Sequence, residues 1–188
     1  MSARFFHSRL LRHRSGSAAA EMALITPLLM ALMFGSAELG NWFLTNHAVI
    51  KQVRDGARFG SRLTLNASYA CQAGALATNS TVFQDGSANT KIINVTKTGS
   101  VDGTASGRFG GADSSFWTAC NQGEQPVSVS VRCVPKGSYA GLYTDVSGSI
   151  PVVSVTANVQ YPSILGNLGI NTAGLCVTGS SEAAVVGI

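Results

Sequence analysis

The feature that most constrains this chain of 188 residues is a long apolar run near its N-terminus. Met22 to Ala37 contains no charged residue, and the stretch 18–37 is long enough as a helix to cross about 30 Å of hydrocarbon. Four arginines precede the run, namely Arg4, Arg9, Arg12 and Arg14. No Lys or Arg follows it before Lys51. By the positive-inside rule, the N-terminus is expected in the cytoplasm and the rest of the chain outside it.

The net charge of +4 comes from this basic tail. Beyond residue 14, nine Lys and Arg residues are balanced by nine Asp and Glu residues. Charged residues make up 12% of the chain, against about 25% in typical soluble domains. This distribution fits the positive-inside pattern of a membrane segment better than a phosphate-binding surface. We therefore expect no nucleic-acid partner.

Two residues of the apolar segment are costly in lipid. A carboxylate there needs a partner, which makes Glu21 a candidate functional residue. Pro27 removes a helical hydrogen bond and predicts a bend in the helix. Gly16 lies five positions before Glu21, so cleavage between Gly16 and Ser17 would make this glutamate the fifth residue of the new chain.

This spacing resembles the processing site of type IV prepilins. The resemblance implies that a prepilin peptidase cuts between Gly16 and Ser17, and that Glu21 pairs with the N-terminal amine of a neighbouring subunit. Such a pair would offset the desolvation cost of the carboxylate and fix the axial register of the subunits. Two alternatives stay open. In the first, Gly16 is an ordinary loop residue and Glu21 lies at the headgroup boundary. In the second, a secretory signal is cleaved after Ala37.

The helical pattern continues beyond the apolar run. Apolar residues recur there at steps of three and four, at Leu39, Trp42, Phe43, Val49, Ile50, Val53 and Ala57. The pattern predicts one helix over about 17–62, roughly 70 Å long, whose second half packs one apolar stripe on an exported domain. Gly56 and Gly60 are expected to weaken and fray its last turns.

A family resemblance is carried by GSAAAEMALITPLLMALMFGSAELGNW, followed by VIKQVRDGARFGSR. These segments resemble the TadE family of tight-adherence (Flp-type) pilus assembly proteins, whose members carry a Glu and a Pro at this spacing and a run like RDGAR. The stretches VVSVTANVQYPSILGNLG and SSEAAVVGI are also similar to how those proteins end. The resemblance covers roughly half of the chain.

The resemblance implies a minor pilin-like or pseudopilin-like component of a tight-adherence pilus assembly and secretion system at the bacterial inner membrane. Its expected partners are the membrane, other pilin or pseudopilin subunits, the Tad secretion machinery and a prepilin peptidase. No enzymatic activity, cofactor or small-molecule substrate is expected. The alternative is an unprocessed, membrane-anchored periplasmic scaffold or binding protein.

The exported part is expected to be an α+β head with a mainly antiparallel sheet. Alternating valines predict strands at Val127–Val134 and Ile150–Tyr161, with a third at Ala183–Ile188 and a short strand-like run at Lys91–Thr98. The expected division is a basic cytoplasmic leader (1–16), a transmembrane helix (17–38), an amphipathic extension (39–62) and the head (63–188).

The four cysteines are widely spaced and lack the short paired spacings of zinc sites: Cys71, Cys120, Cys133 and Cys176. In an exported domain they are expected to form two disulfides, with three possible connectivities. Loops of moderate length favour Cys71 with Cys120 and Cys133 with Cys176. Buried free thiols are the alternative.

Catalytic and metal sites have little support in the sequence. All three histidines lie in the leader or on the long helix, and the carboxylates are scattered singly. The segment DVSGS, Asp145–Ser149, matches the first element of a metal-ion-dependent adhesion site but is expected to be a turn between strands. We therefore predict no catalytic residue, no cofactor-binding residue and no metal ligand.

Overall fold

The computed structural model describes residues 15–64, 71, 86–107, 109, 111, 114–135, 141, 143, 149–172 and 174–186. It contains two compact units, Met1–Asn41 and Trp42–Ile188. The described helices are α1 (Ser15–Ser61) and α2 (Gly86–Thr98), with short 3₁₀ helices at Ser115–Trp117 and Leu165–Leu168. The strands are β1 (Val127–Pro135), β2 (Ser149–Gln160) and β3 (Cys176–Ala184). The predicted α+β class is confirmed.

α1 confirms the long N-terminal helix and agrees with the predicted range to within two residues. Ala, Leu and Met, which are strong helix formers, dominate its first half. Pro27 lies inside α1 without ending it, and the bend there stays a prediction. In the second half, Val49, Val53 and Ala57 are fully buried at steps of four, so one face of the helix packs on the core.

The strands form an antiparallel sheet in the order β1-β2-β3. β1 and β2 confirm the strands predicted from alternating valines, and Val131 lies opposite Val153 on the buried face. β3 begins seven residues before the third strand predicted at 183–188. Its start is hard to read from the sequence because Gly179 and Ser181, opposite Ala157 and Val155, stand where alternation would require larger apolar residues.

The hydrophobic core of the second unit is built from α1, α2 and the inner face of the sheet. Its fully buried members include Val53 of α1, Ile92 of α2 and Val153 of β2. Trp117, from a 3₁₀ helix, is 5% exposed and joins the same cluster, as expected of a core aromatic. Burying one such side chain contributes roughly 1.5–3 kcal/mol, so this cluster holds the unit together.

The run Lys91–Thr98 was predicted as a strand, and this prediction is wrong. The run forms most of α2. Its β-branched residues favour a strand by propensity, but Ala88, Ile92 and Thr96 recur every four residues and are all buried. The Thr96 hydroxyl also donates a 2.8 Å hydrogen bond to the Ile92 carbonyl, which satisfies it inside the helix.

The two glycines near the end of α1 do not fray the helix, contrary to expectation. Gly56 and Gly60 are buried, and α1 continues to Ser61. A Cβ at Gly56 would overlap the Thr96 hydroxyl of α2, and one at Gly60 would lie 3.1 Å from the Ile92 and Val153 side chains. Glycine is therefore used here for close approach of α2 and the sheet.

The structure pairs Cys71 with Cys133 and Cys120 with Cys176, so the pairing favoured by moderate loop length is wrong. The Cα atoms are 5.6 Å apart in the first pair and 5.7 Å in the second, within the usual range for disulfides. Cys133 is fully buried in β1, and Cys176 begins β3. The sheet therefore excludes a bond between Cys133 and Cys176, because their partners on β2, Pro151 and Gln160, are nine residues apart along that strand.

Candidate functional site in the N-terminal helix

The first half of α1 is apolar on all sides of the helix. Every residue over 18–37 is exposed. Its large exposed side chains are Met22, Leu24, Ile25, Leu28, Leu29, Met30, Leu32, Met33 and Phe34. Removing this surface from water is worth on the order of 20 kcal/mol. Among the described residues, Ala18–Ser61 is long and apolar enough to cross a membrane.

The hydroxyl side chains of this segment are satisfied by the helix itself. Thr26 donates a 2.6 Å hydrogen bond from its hydroxyl to the Met22 carbonyl. Ser36 donates in the same way to the Met33 carbonyl, at 2.9 Å. A hydroxyl bonded to its own helix needs no water, so Thr26 and Ser36 are compatible with a lipid environment.

The predicted processing and assembly residues all lie in the first four turns of α1. Gly16 is in the first turn, exposed, and a Cβ there would meet no atom within 4 Å. Ser17 follows it, and Glu21 is exposed about one and a half turns further on. At 100° per residue, Gly16 and Glu21 point to different sides of the helix. The structure does not bring these two residues together.

Catalytic machinery does not emerge from the described residues. Across the described ranges, no three His, Cys, Asp or Glu side chains gather as a metal-binding group. Of the DVSGS segment, only Ser149 is described, and it begins β2. The other residues of that segment, and the basic leader up to Arg14, lie outside the described residues. The candidate site is therefore the apolar segment of α1.

A family model described as TadE-like protein matches residues 16–58. Over this segment the chain is similar to that family. The matched range begins at Gly16 and ends at Arg58, and it contains Ser17, Glu21 and Pro27. No curated protein and no solved structure matches the chain.

The TadE-like match connects the chain with the assembly of tight-adherence pili and with the machinery that builds them. That family is structural rather than catalytic. The matched segment lies almost entirely within α1, whereas the sheet and all four cysteines lie beyond it. The part of the chain that carries the family signal is thus the part with the exposed apolar surface.

The cations at the end of α1 form a set that was not predicted from the sequence. In the structure, Lys51, Arg54, Arg58 and Arg62 are all exposed on the side of α1 that faces away from the core. Their spacings of three and four residues are the signal that identifies such a stripe.

Proposed function

We propose that this chain is a minor pilin-like or pseudopilin-like component of a tight-adherence (Flp-type) pilus assembly and secretion system. It assembles through its N-terminal helix at the bacterial inner membrane, with other pilin or pseudopilin subunits and the Tad machinery as partners. The leader lies in the cytoplasm, the segment 17–38 spans the membrane once, and the head 63–188 lies in the periplasm. The protein acts without enzymatic activity.

The observation that carries this proposal is the bare apolar helix inside the TadE-like match. A surface helix of a soluble protein is apolar on one face, and a helix that is apolar all round requires lipid or other helices. The segment 18–37 belongs to the second kind, and Glu21 lies near its start. The four arginines ahead of it favour a cytoplasmic N-terminus.

Glu21 is the residue that pairs neighbouring subunits in this assembly. An ionised carboxylate at membrane depth costs roughly 2.5–3.5 kcal/mol on insertion scales, so it favours any arrangement that supplies a cation. Cleavage between Gly16 and Ser17 creates a new α-ammonium at the start of each subunit. Pairing of that ammonium with Glu21 of a neighbour compensates both charges and sets the axial offset between subunits.

The test is mass spectrometry of the N-terminus, on protein purified from membranes of the native host with the processing peptidase present. A chain that begins at Ser17 supports the processed, pilin-like subunit. An intact basic leader instead supports the alternative, an unprocessed membrane-anchored periplasmic scaffold or binding protein. A chain that begins at Glu38 means cleavage of a secretory signal and contradicts both.

A further inference from the structure

The second half of α1 carries a row of cations that belong neither to the apolar membrane segment nor to the hydrophobic core. We define the basic stripe as Lys51, Arg54, Arg58 and Arg62, of which the first three lie on α1 and the last in the turn that closes it. At 100° per residue the stripe occupies about 80° of the helix surface. All four residues are exposed, and the buried residues Val49, Val53 and Gly60 lie on the opposite side.

The stripe keeps an excess of positive charge within the described chain, since its four cations border a single carboxylate, Asp55. No side chain of the stripe forms an ion pair with a described carboxylate, whereas Arg132 of the sheet pairs with Glu182 at 3.2 Å. Asp55 borders the stripe and is likewise not in an ion pair there. The stripe holds four of the nine Lys and Arg residues that follow the leader. Cations are thus concentrated here in a chain that otherwise has few charges.

Folding stability explains only part of this arrangement. Arg58 and Arg62 lie at the C-terminal end of α1, where a cation interacts favourably with the helix dipole, whereas Lys51 and Arg54 lie further from that end. Arg54 and Arg58 are four residues apart, as are Arg58 and Arg62, and like charges at this spacing disfavour a helix. A solvated helix face without a further role would gain from alternating signs. The unfavourable repulsion within the stripe is relieved when an acidic surface is bound, which is the usual basis of charge complementarity at interfaces.

We infer that the basic stripe is a docking surface for an acidic protein partner outside the membrane. The partner presents carboxylates along a helix or strand edge of about 16 Å, the length of α1 between Lys51 and Arg62. Arg54 and Arg58 can each bind a carboxylate through two hydrogen bonds, which gives the contact direction as well as charge. The inference rests on the proposed function in that the partner is another component of the same machine.

A second copy of this chain matches the stripe poorly. The carboxylates along its α1 are Glu21, Glu38 and Asp55, each separated from the next by 17 residues, or about 25 Å of helix. The other described carboxylates are equally isolated, and Glu182 is already paired with Arg132. Within the residues that the structure describes, a copy of the chain therefore offers single carboxylates where the stripe requires several in a row.

Anionic lipid headgroups also match it poorly. Leu44 is the last large apolar side chain of α1 that is mostly exposed, at 65%. Measured along the helix from Leu44, Lys51 is about 10 Å away and Arg62 about 27 Å. Attraction to a charged membrane surface fades within a Debye length of about 8 Å at physiological ionic strength. The stripe extends along the helix axis instead of clustering next to the apolar segment.

The test uses the full-length protein in native host cells with a photoreactive benzoylphenylalanine at His47. This position is exposed, lies one turn before Lys51 on the same side of α1, and leaves the stripe intact. Irradiated adducts are mapped by mass spectrometry in the wild type, in R54E/R58E and in K91E/K97E. The last variant reverses two half-buried cations of α2 and is the control for the change in net charge.

The expected adduct is a protein segment that carries at least three closely spaced Asp or Glu residues. Its yield falls at least about tenfold in R54E/R58E and changes little in K91E/K97E, because juxtaposed like charges at an interface are strongly unfavourable. Reversal of two of the mapped carboxylates to Lys restores the yield in R54E/R58E. A circular dichroism spectrum of each purified variant checks that it is folded. If R54E/R58E is not folded, R54Q/R58Q takes its place.

Three results overturn the inference: an adduct with lipid, an adduct with a segment that lacks acidic residues, and a yield that R54E/R58E leaves unchanged. Cleavage after Gly16 and the role of Glu21 do not enter this readout. If the wild type gives no adduct with an acidic segment although its chain begins at Ser17, the stripe alone is contradicted. A normal adduct with an intact leader contradicts the processed pilin-like subunit alone.

Discussion

Substitution of Gly56 by alanine tests the close approach of α1 and α2. The new methyl group would overlap the Thr96 hydroxyl and lie 3.1 Å from Thr96 Cβ. Thr96 is fully buried and its hydroxyl is held on the Ile92 carbonyl, so it has little room to move. Overpacking of this kind costs about 1–3 kcal/mol, against a gain of about 1 kcal/mol in helix propensity. Because the overlap is with a fully buried side chain, we expect a cost in the upper part of this range, about 2–3 kcal/mol, so that Gly56→Ala lowers the free energy of unfolding by about 1–2 kcal/mol.

The assay is urea unfolding of the full-length protein in detergent, followed by the fluorescence of buried Trp117. Gly35→Ala is the matched control, because a Cβ there meets no atom within 4 Å and the helix propensity gain is the same. In Gly56→Ala/Thr96→Ala the overlap is removed, so we expect a coupling energy of at least about 1 kcal/mol between the two sites. An unfolding free energy for Gly56→Ala at or above that of the wild type would refute the close approach.

Three further predictions concern assembly, the disulfides and a surface turn. Glu21→Gln is expected to abolish piliation, because the amide cannot pair with an ammonium as a carboxylate does. Pili are counted by electron microscopy, and the matched variant Glu38→Gln should keep them. Normal piliation by Glu21→Gln would contradict the assembly role. Removal of the Cys120–Cys176 bond, which closes a loop of 56 residues, should lower stability by roughly 4 kcal/mol in the chain-entropy account, measured by urea unfolding; a midpoint unchanged by C120A/C176A speaks against that bond. Hydrogen bonds from the Thr104 hydroxyl, which donates at 2.7 Å, and from Ser100 hold the pKa of Asp102 below its ordinary value of 3.8. The stability that these hydrogen bonds provide is present above pH 3.8 and is lost as the pH falls through the lower pKa of folded Asp102. Thr104→Val should therefore raise the pKa of Asp102, measured by NMR titration. An unchanged pKa would exclude the Thr104 hydroxyl as the cause of the lowered value.

The two halves of α1 differ in the environment they require. Over 18–37 the helix is exposed and apolar on all sides, which suits lipid. From Val49 to Gly60 it is amphipathic, with one face in the core and charged residues on the opposite face. One continuous helix thus combines an apolar segment with a structural element of the head, and the TadE-like match covers parts of both.

The local sequence was sufficient to predict a helix or strand wherever its pattern of apolar residues fitted only one of these structures. The uncharged run Met22–Ala37 predicts a helix suited to a membrane, because a helix with apolar residues on every side needs lipid or other helices around it. The alternation in Val127–Val134 and in Ile150–Tyr161 predicts strands with one buried face, and β1 and β2 lie there. The spacing of Gly16, Glu21 and Pro27 likewise indicated the segment that the family model matches.

Tertiary structure decided the features that depend on residues distant in the sequence. Lys91–Thr98 is helical because its buried positions face α1, which outweighs the strand propensity of Ile and Val. From the sequence, Gly56 and Gly60 are weak positions in a helix. In the structure, the side chains of Thr96, Ile92 and Val153 occupy the space that a larger residue at these positions would need. Cys71 pairs with Cys133, and Cys120 with Cys176, because the fold brings each pair within bonding distance. Periodicity reports which side of an element is buried, but what lies against that side is set by chain segments far away, and only the folded structure specifies them.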